Sequence, residues 1–302
     1  MKIKVIETTN TLDYEKVVPN FIYNRFDLYN KPQNFKTVII DSGNSQKIIE
    51  YSIIGSQADL GLWLVDITKA ELEHLLLYIK TNHPEIQKVT YKNNRLSYGK
   101  AKAHNHFRIE FPQTVEEMES RVSSKSRSKM KKKLNRAQEQ YGEMKIEEYD
   151  RNNITEDIVQ HFFRFKYAIR NREYNMTGQE YLDRYNVSHC YVVKFGDTVG
   201  ALRFSCEQCP VVYGENFAYN PDLKDFSLGR FIFYYHLIRM TEKKHAQLFF
   251  AGGDYEYKTH YGSIEETLYD CTIDMKNLDL SHLNPKHSLI KRAVNKLKKI
   301  LK

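Results

Sequence analysis

One order of periodicities occurs twice in this sequence, and that constrains the fold more than any single motif. Phe35 to Ile40, Lys47 to Ile54 and Leu60 to Ile67 are β-branched or apolar runs, the first two parted by the turn signal Asp41-Ser42-Gly43-Asn44. A helix follows, with Leu72, Leu75, Leu76 and Ile79 at i, i+3, i+4, i+7 and Pro84 to end it, and then a strand near Ile86 to Tyr91. The second half repeats this: strands at Cys190 to Phe195, Val199 to Ser205 and Val211 to Tyr219, a helix from about Ser227 to Lys243, and a strand at Gln247 to Ala251. No residues align between the halves, so the repeat is one of topology. It predicts an α/β (α+β mixed sheet) fold made of two copies of one unit, each a mixed sheet with helices on its faces.

Further elements fill in around the repeat. Lys2 to Ile6 and Phe107 to Phe111 alternate as strands, as does Met144 to Tyr149, and a helix from Thr155 to Arg172 carries Ile158, Phe162, Phe165 and Ile169 on one stripe. At 302 residues the chain suits two domains. The boundaries expected are 1–113 for the first unit, 114–142 for a basic helical connector and 143–302 for the second unit with a basic terminal helix.

Charge is concentrated in two places. The chain is formally +8, yet residues 121–136 hold eight cations and 286–302 seven, neither with an acid; taking those fifteen from +8 leaves the remainder at −7. The first ten residues lack the apolar core of a leader, and no run is long enough to span a bilayer, which points to a cytoplasmic protein. The four cysteines, Cys190, Cys206, Cys209 and Cys271, suit a reducing compartment. Cys206-x-x-Cys209 is one knuckle where a closed zinc site needs four ligands, so no metal is expected.

Chemistry gathers in Phe249 to Gly262, FFAGGDYEYKTHYG. An apolar strand breaks at Gly252-Gly253, and Asp254, Tyr255, Glu256, Tyr257, Lys258, His260 and Tyr261 follow. At helical spacing Asp254 meets Lys258, Glu256 meets His260 and Tyr257 meets Tyr261. The plainer reading is a solvated turn with a first helical turn behind it.

These pieces together resemble a known family. The basic helix SRSKMKKKLNRAQEQYG, the strand-loop-helix VVYGENFAYNPDLKDFSLGRFIFYYHLI and the closing FFAGGDYEYKTHYG are similar, over about residues 120–270, to the GNAT acyltransferases and in particular to their CelD/BioF2-like acetyltransferase domains. The last segment looks like that subfamily's Asp/Gly-Gly-Gly-x-x-x-Tyr-Lys signature. Two such units in tandem, joined by a basic helix, also resemble the Fem-type peptidoglycan aminoacyltransferases.

The resemblance implies a site. The strand Val211 to Tyr219 would part from its neighbour and offer backbone groups to the pantetheine of acetyl-CoA or another acyl-CoA, with an oxyanion donor near Phe217 or Ala218. Ser227, Leu228, Gly229 and Arg230 would form the pyrophosphate loop at a helix N-terminus, although one glycine stands where the usual fingerprint has two. Ser227 read plainly is a helix N-cap. Glu215 is either a general base acting through water or a paired structural charge. Tyr257 or Tyr261 would protonate the leaving thiolate, Lys258 would bind acceptor or phosphates, and Asp254 would cap its helix.

The function implied is N-acyl transfer from coenzyme A to a small-molecule amine acceptor, with an amino sugar or polysaccharide precursor first in line. The first unit, with Asp66-Ile67-Thr68-Lys69 where a phosphate loop would lie, is expected to lack a coenzyme site and to wall the acceptor cleft. The alternatives are an aminoacyl-tRNA-dependent Fem-like transferase and a non-catalytic protein binding nucleic acid or an anionic surface. The 121–136 helix fits a coenzyme 3′-phosphate, tRNA or an anionic membrane by charge. Its Val122, Met130, Leu134 and Ala137 equally suit a helix docked on the domain.

Overall fold

A computed structural model describes residues 3–8, 35–43, 46–62, 65–185, 187–208, 211–250 and 261–283. In chain order its strands are β1 (Lys4–Thr8), β2 (Phe35–Asp41), β3 (Gln46–Ile54), β4 (Gln57–Leu60), β5 (Lys88–Asn94), β6 (Lys100–Glu110), β7 (Met144–Asp150), β8 (His189–Phe195), β9 (Thr198–Gln208), β10 (Val211–Tyr219), β11 (Gln247–Phe250) and β12 (Ile264–Asp274). The helices are α1 (Lys69–Asn82), α2 (Val115–Ser120), α3 (Ser124–Tyr141), α4 (Glu156–Arg170), α5 (Gly178–Arg184) and α6 (Leu228–Glu242). The chain folds as two units, one built from residues up to His104 and from Thr267 onward, the other essentially from Asn105–Glu266.

In the first unit the strands run β1-β2-β3-β4-β5-β12. Among the described residues only the β4–β5 pair is parallel, and α1 makes the crossover between them. Thr68 caps α1, and Leu72, Leu75, Leu76 and Ile79 are fully buried against Val38, Ile40, Ile49 and Val89 of the sheet. The third strand of this meander is Gln57–Leu60 rather than 60–67. Gly55, at φ +58°, turns the chain straight after Ile54, and Leu62 already hydrogen-bonds back to the Leu60 carbonyl.

The second unit has the same plan, β7-β8-β9-β10-β11-β6, with one parallel pair, β10–β11, and α6 as its crossover. Alternation along β8 separates its two faces. Tyr191 and Val193 pack with Met130 and Leu134 of α3 and with Ile232 and Leu237 of α6, while Cys190 and Val192 pack with Phe162 and Phe163 of α4 and Tyr181 of α5. The buried stripe of α4 is Val159, Phe162, Phe163 and Phe165; Ile158 and Ile169 sit at its margin, half-exposed.

The basic segment is not a free connector. It forms α2 and α3, stopped at Gly142 (φ +104°), and belongs to the second unit, where Met130, Leu134 and Ala137 are buried. The contacts divide the chain at 104/105 and 266/267. A strand exchange follows from this division: β6 leaves the first half of the chain to pair antiparallel with β11, and β12 leaves the second half to pair antiparallel with β5.

Cys190, Cys206 and Cys271 are buried, and Cys209 lies outside the described residues, as does the terminal segment 286–302 expected to form a basic helix. Among the described residues no helix is long and apolar enough to cross a membrane, and no group of three or more His, Cys, Asp or Glu is placed to hold a metal.

Candidate active site

The site begins with a defect in the sheet. β10 pairs antiparallel with β9 from Val211 to Tyr219, but parallel with β11 over Val211–Tyr213 only. Tyr213 faces Cys206 and Asn216 faces Phe204, so three steps on β10 oppose two on β9. That is a β-bulge, and it bends and twists the strand just beyond the last pair with β11 among the described residues. Asn216–Tyr219 consequently has no parallel partner among the described residues.

α6 starts beside this opening. The turn Pro221–Phe226 ends at Ser227, whose φ of +58° and ψ of 36° lie in the left-handed region. A non-glycine residue holds that conformation at a cost of about 1 kcal/mol or more. The Ser227 carbonyl accepts from the N–H groups of Arg230 and Phe231, but its side chain caps nothing, contrary to the N-cap reading. Its hydroxyl instead accepts a 2.7 Å hydrogen bond from Nζ of Lys133, on basic helix α3. The N–H groups of Leu228 and Gly229 find no acceptor among the described residues.

A cavity of about 260 Å³ lies here. Phe217, Tyr219, Phe233 and Tyr261 form aromatic walls, Ser227, Leu228 and Gly229 line the helix start, and the exposed cations Lys224 and Arg230 complete it. Gly229 is required by close packing: a Cβ there would come within 2.9 Å of Phe217 Cε2 and 3.2 Å of Tyr219 Cδ1. Tyr261 is 4 % exposed and meets Phe233 edge-on, with ring centroids 4.9 Å apart.

Six of the predicted positions thus converge on one cavity: Phe217, Ser227, Leu228, Gly229, Arg230 and Tyr261. Ala218 does not line it; its side chain faces the opposite core, under α4, which leaves only its backbone to act. Glu215 lies at the bulge on β10, its side chain outside the described residues, and Asp254, Tyr257 and Lys258 also lie outside them. Lys133 was not singled out in the sequence, because one cation in a run of eight carries no mark of which will reach the site.

A second feature invisible in the sequence runs under α6. Arg203, 2 % exposed, stacks its guanidinium 4.8 Å from the Phe233 ring centre. Further along β9, Glu207 accepts from Tyr191 Oη at 2.6 Å, Ser205 Oγ at 2.7 Å and Lys243 Nζ at 2.9 Å. His189, His236 and His245 approach the same carboxylate at 3.4, 3.7 and 4.0 Å. Burial opposes ionisation of Glu207, but His236, Lys243 and Tyr191 outweigh it and hold the carboxyl well below its usual range. Burial, reinforced by the Arg203 charge, lowers the His236 imidazole to about 3. The cluster fastens the C-terminal end of α6 to β8 and β9, and so fixes where the other end of that helix opens.

Residues 124–259 match the family model of the acetyltransferase (GNAT) domain. The match lies within the second unit, which is similar to a GNAT domain there: the matched segment runs from α3 through the β10 bulge and the start of α6 to the segment after β11. No curated protein sequence matches the chain. Among solved structures, FemX is similar with a TM-score of 0.66 at 8% identity, over 91% of this chain and 98% of that one. L-PGS from Bacillus licheniformis is similar with a TM-score of 0.51 at 11% identity, over 85% and 88%. The C-terminal domain of a putative lysylphosphatidylglycerol synthetase from Agrobacterium fabrum has a TM-score of 0.50 at 10% identity, over 75% and 80%. At such identities the likeness is one of fold alone.

Proposed function

We propose that the second unit transfers an acyl group from an acyl-CoA thioester, acetyl-CoA first among them, to an amine. The observation that carries this reading is the opening of β10 from β11 directly beside an uncapped helix start. Free strand groups on Asn216–Tyr219 suit an extended amide-bearing arm, and the two unpaired N–H groups with Lys133, Arg230 and Lys224 suit phosphates. The aromatic walls keep water from the thioester.

In this reading a backbone N–H near Phe217 or Ala218 stabilises the oxyanion as the amine nitrogen attacks the carbonyl carbon. The C–S bond then breaks, and Tyr261, or Tyr257 in the segment after β11, gives its proton to the thiolate. Glu215 takes the proton from the incoming amine through water. Lys258 and Asp254 belong to the same segment, as acceptor contact and helix cap. An amino sugar of an envelope polysaccharide is the first acceptor to try, on the resemblance to CelD-like domains alone.

A second reading has an observation in its favour. Lys125, Lys129, Lys131, Lys132 and Arg136 of α3 are exposed without a carboxylate partner among the described residues, and such a surface suits the backbone of an aminoacyl-tRNA donor. Calorimetric titration with acetyl-CoA, repeated with a structured RNA as competitor and at raised salt, separates the two. Stoichiometric acetyl-CoA binding that RNA leaves untouched supports the coenzyme reading. RNA binding that collapses with salt, and no acetyl-CoA binding, replaces it with the tRNA reading.

A further inference from the structure

Lys166, on α4, is a half-buried amine that the proposed mechanism does not use. Its Nζ sits 5.5 Å from the ring centres of both Phe162 and Phe217. Phe217 also walls the α6 cavity, so a single aromatic ring separates this amine from the proposed donor site. Among the described residues Lys166 has no carboxylate, hydroxyl or carbonyl partner, whereas the other half-buried lysines, Lys36, Lys47, Lys133, Lys194 and Lys243, each have one. The charges that face it are all positive: Arg170 on its own helix, Arg172 just beyond that helix and Arg203 on β9. Burial first, and these cations second, bring its pKa down to about 8.

We propose that Lys166 is a self-acylation site, its amine taking the acyl group from a thioester held in the α6 cavity. The proposal rests on the coenzyme reading of that cavity. The neutral Nζ attacks the thioester carbonyl carbon and the N–C bond forms. The C–S bond breaks, and the departing thiolate takes up the proton that the nitrogen loses, leaving an amide on Lys166 and free coenzyme thiol. The four-carbon stem lets the amine swing past the edge of the Phe217 ring to reach the carbonyl.

Two physical terms favour this site over the many surface lysines. An exposed lysine is neutral in only about one molecule in a thousand near pH 7.5, whereas Lys166 is neutral in a substantial fraction. Acylation also removes a charge that is desolvated between two rings and repelled by three arginines, so the product is relieved of a cost that a solvated lysine never bears. The lower basicity of the amine offsets part of the gain, and a net preference of tenfold or more remains.

The test is a time course of the full chain with acetyl-CoA, mapped by peptide mass spectrometry, alongside calorimetric binding of acetyl-CoA to the same sample. The expected result is one acetyl group at Lys166, gained at least ten times faster than at Lys131 or Lys132, suppressed by excess coenzyme A and absent in Lys166→Arg. Acetyl phosphate, which bypasses the cavity, should label Lys166 with only the smaller preference that its neutral amine confers, and excess coenzyme A should leave that labelling unchanged. Binding of acetyl-CoA with Lys166 no faster than Lys131 overturns the self-acylation while leaving the donor reading intact. Absence of binding overturns both, and equal labelling of Lys166 by acetyl phosphate overturns the cavity's part in it.

Discussion

The two units share a strand order and a crossover helix but differ in what stands at the start of that helix. In the first unit Thr68 caps α1, its hydroxyl accepting from the Glu71 N–H. Glu71 sits at the third helical position and closes a capping box by accepting from the Thr68 N–H at 2.8 Å. Lys47 bonds the same carboxylate at 2.7 Å. In the second unit Ser227 takes the cap position in a left-handed conformation, Arg230 stands at the third helical position, and Lys133 again lies close by. The first helix start thus contains its own anion and the second does not.

The sheets differ in the same sense among the described residues. β4 is four residues long and pairs with β5 throughout, whereas the pairing of β10 with β11 described there covers Val211–Tyr213 of a nine-residue strand. At Asp66-Ile67-Thr68-Lys69 the helix start is taken by the capping box of Thr68 and Glu71.

The comparison can be broken in four ways. The largest effect should come from ending the chain before Ile264, which removes β12 and leaves β5 unpaired along an edge that includes the buried Val89 and Tyr91. Such a chain is expected to lose cooperative unfolding of the first unit, followed by urea denaturation. Next, Glu71→Ala leaves Lys47 and the first-turn N–H groups without their anion and should cost about 3 kcal/mol of stability, with acetyl-CoA affinity unchanged.

Arg230→Glu supplies the second unit with the first unit's device, a Ser-x-x-Glu start. Exchanging a cation for an anion at the phosphates should weaken acetyl-CoA binding on the order of 100-fold by calorimetry, worth about 2.7 kcal/mol, without loss of fold. The smallest effect concerns acid. His189, His236 and His245 are all held below the usual histidine range, mainly by burial, so the unfolded chain binds more protons than the native one below about pH 6.5. Stability should therefore fall with pH, by about 2 kcal/mol between pH 7 and 5 from His236 alone. The loss should appear in the second unit first, and His236→Phe should flatten it.

Much of this was legible in the sequence because periodicity is local. The two helices that cross between parallel strands, α1 and α6, carry their buried leucines and aromatics at spacings that one strip of sequence displays. The exchange of β6 and β12 was not legible, since each alternates as a strand whichever sheet it joins. The single residue that makes the bulge between Tyr213 and Asn216 also leaves no trace, because register is a property of two strands together. Lys133, Glu207 and the three histidines are linked across sequence separations that only tertiary packing closes.

The strand exchange also sets a timetable for the newborn chain. β5 is made early, but its antiparallel partner β12 begins at Ile264, so the edge of the first sheet waits while the whole second unit is synthesised. At ordinary elongation rates that wait is roughly 10 to 30 s, long beside the time a domain of this size takes to collapse. During it the hydrophobic first half depends on the ribosome and its attendant chaperones for cover. The first domain to begin folding is therefore the last to finish.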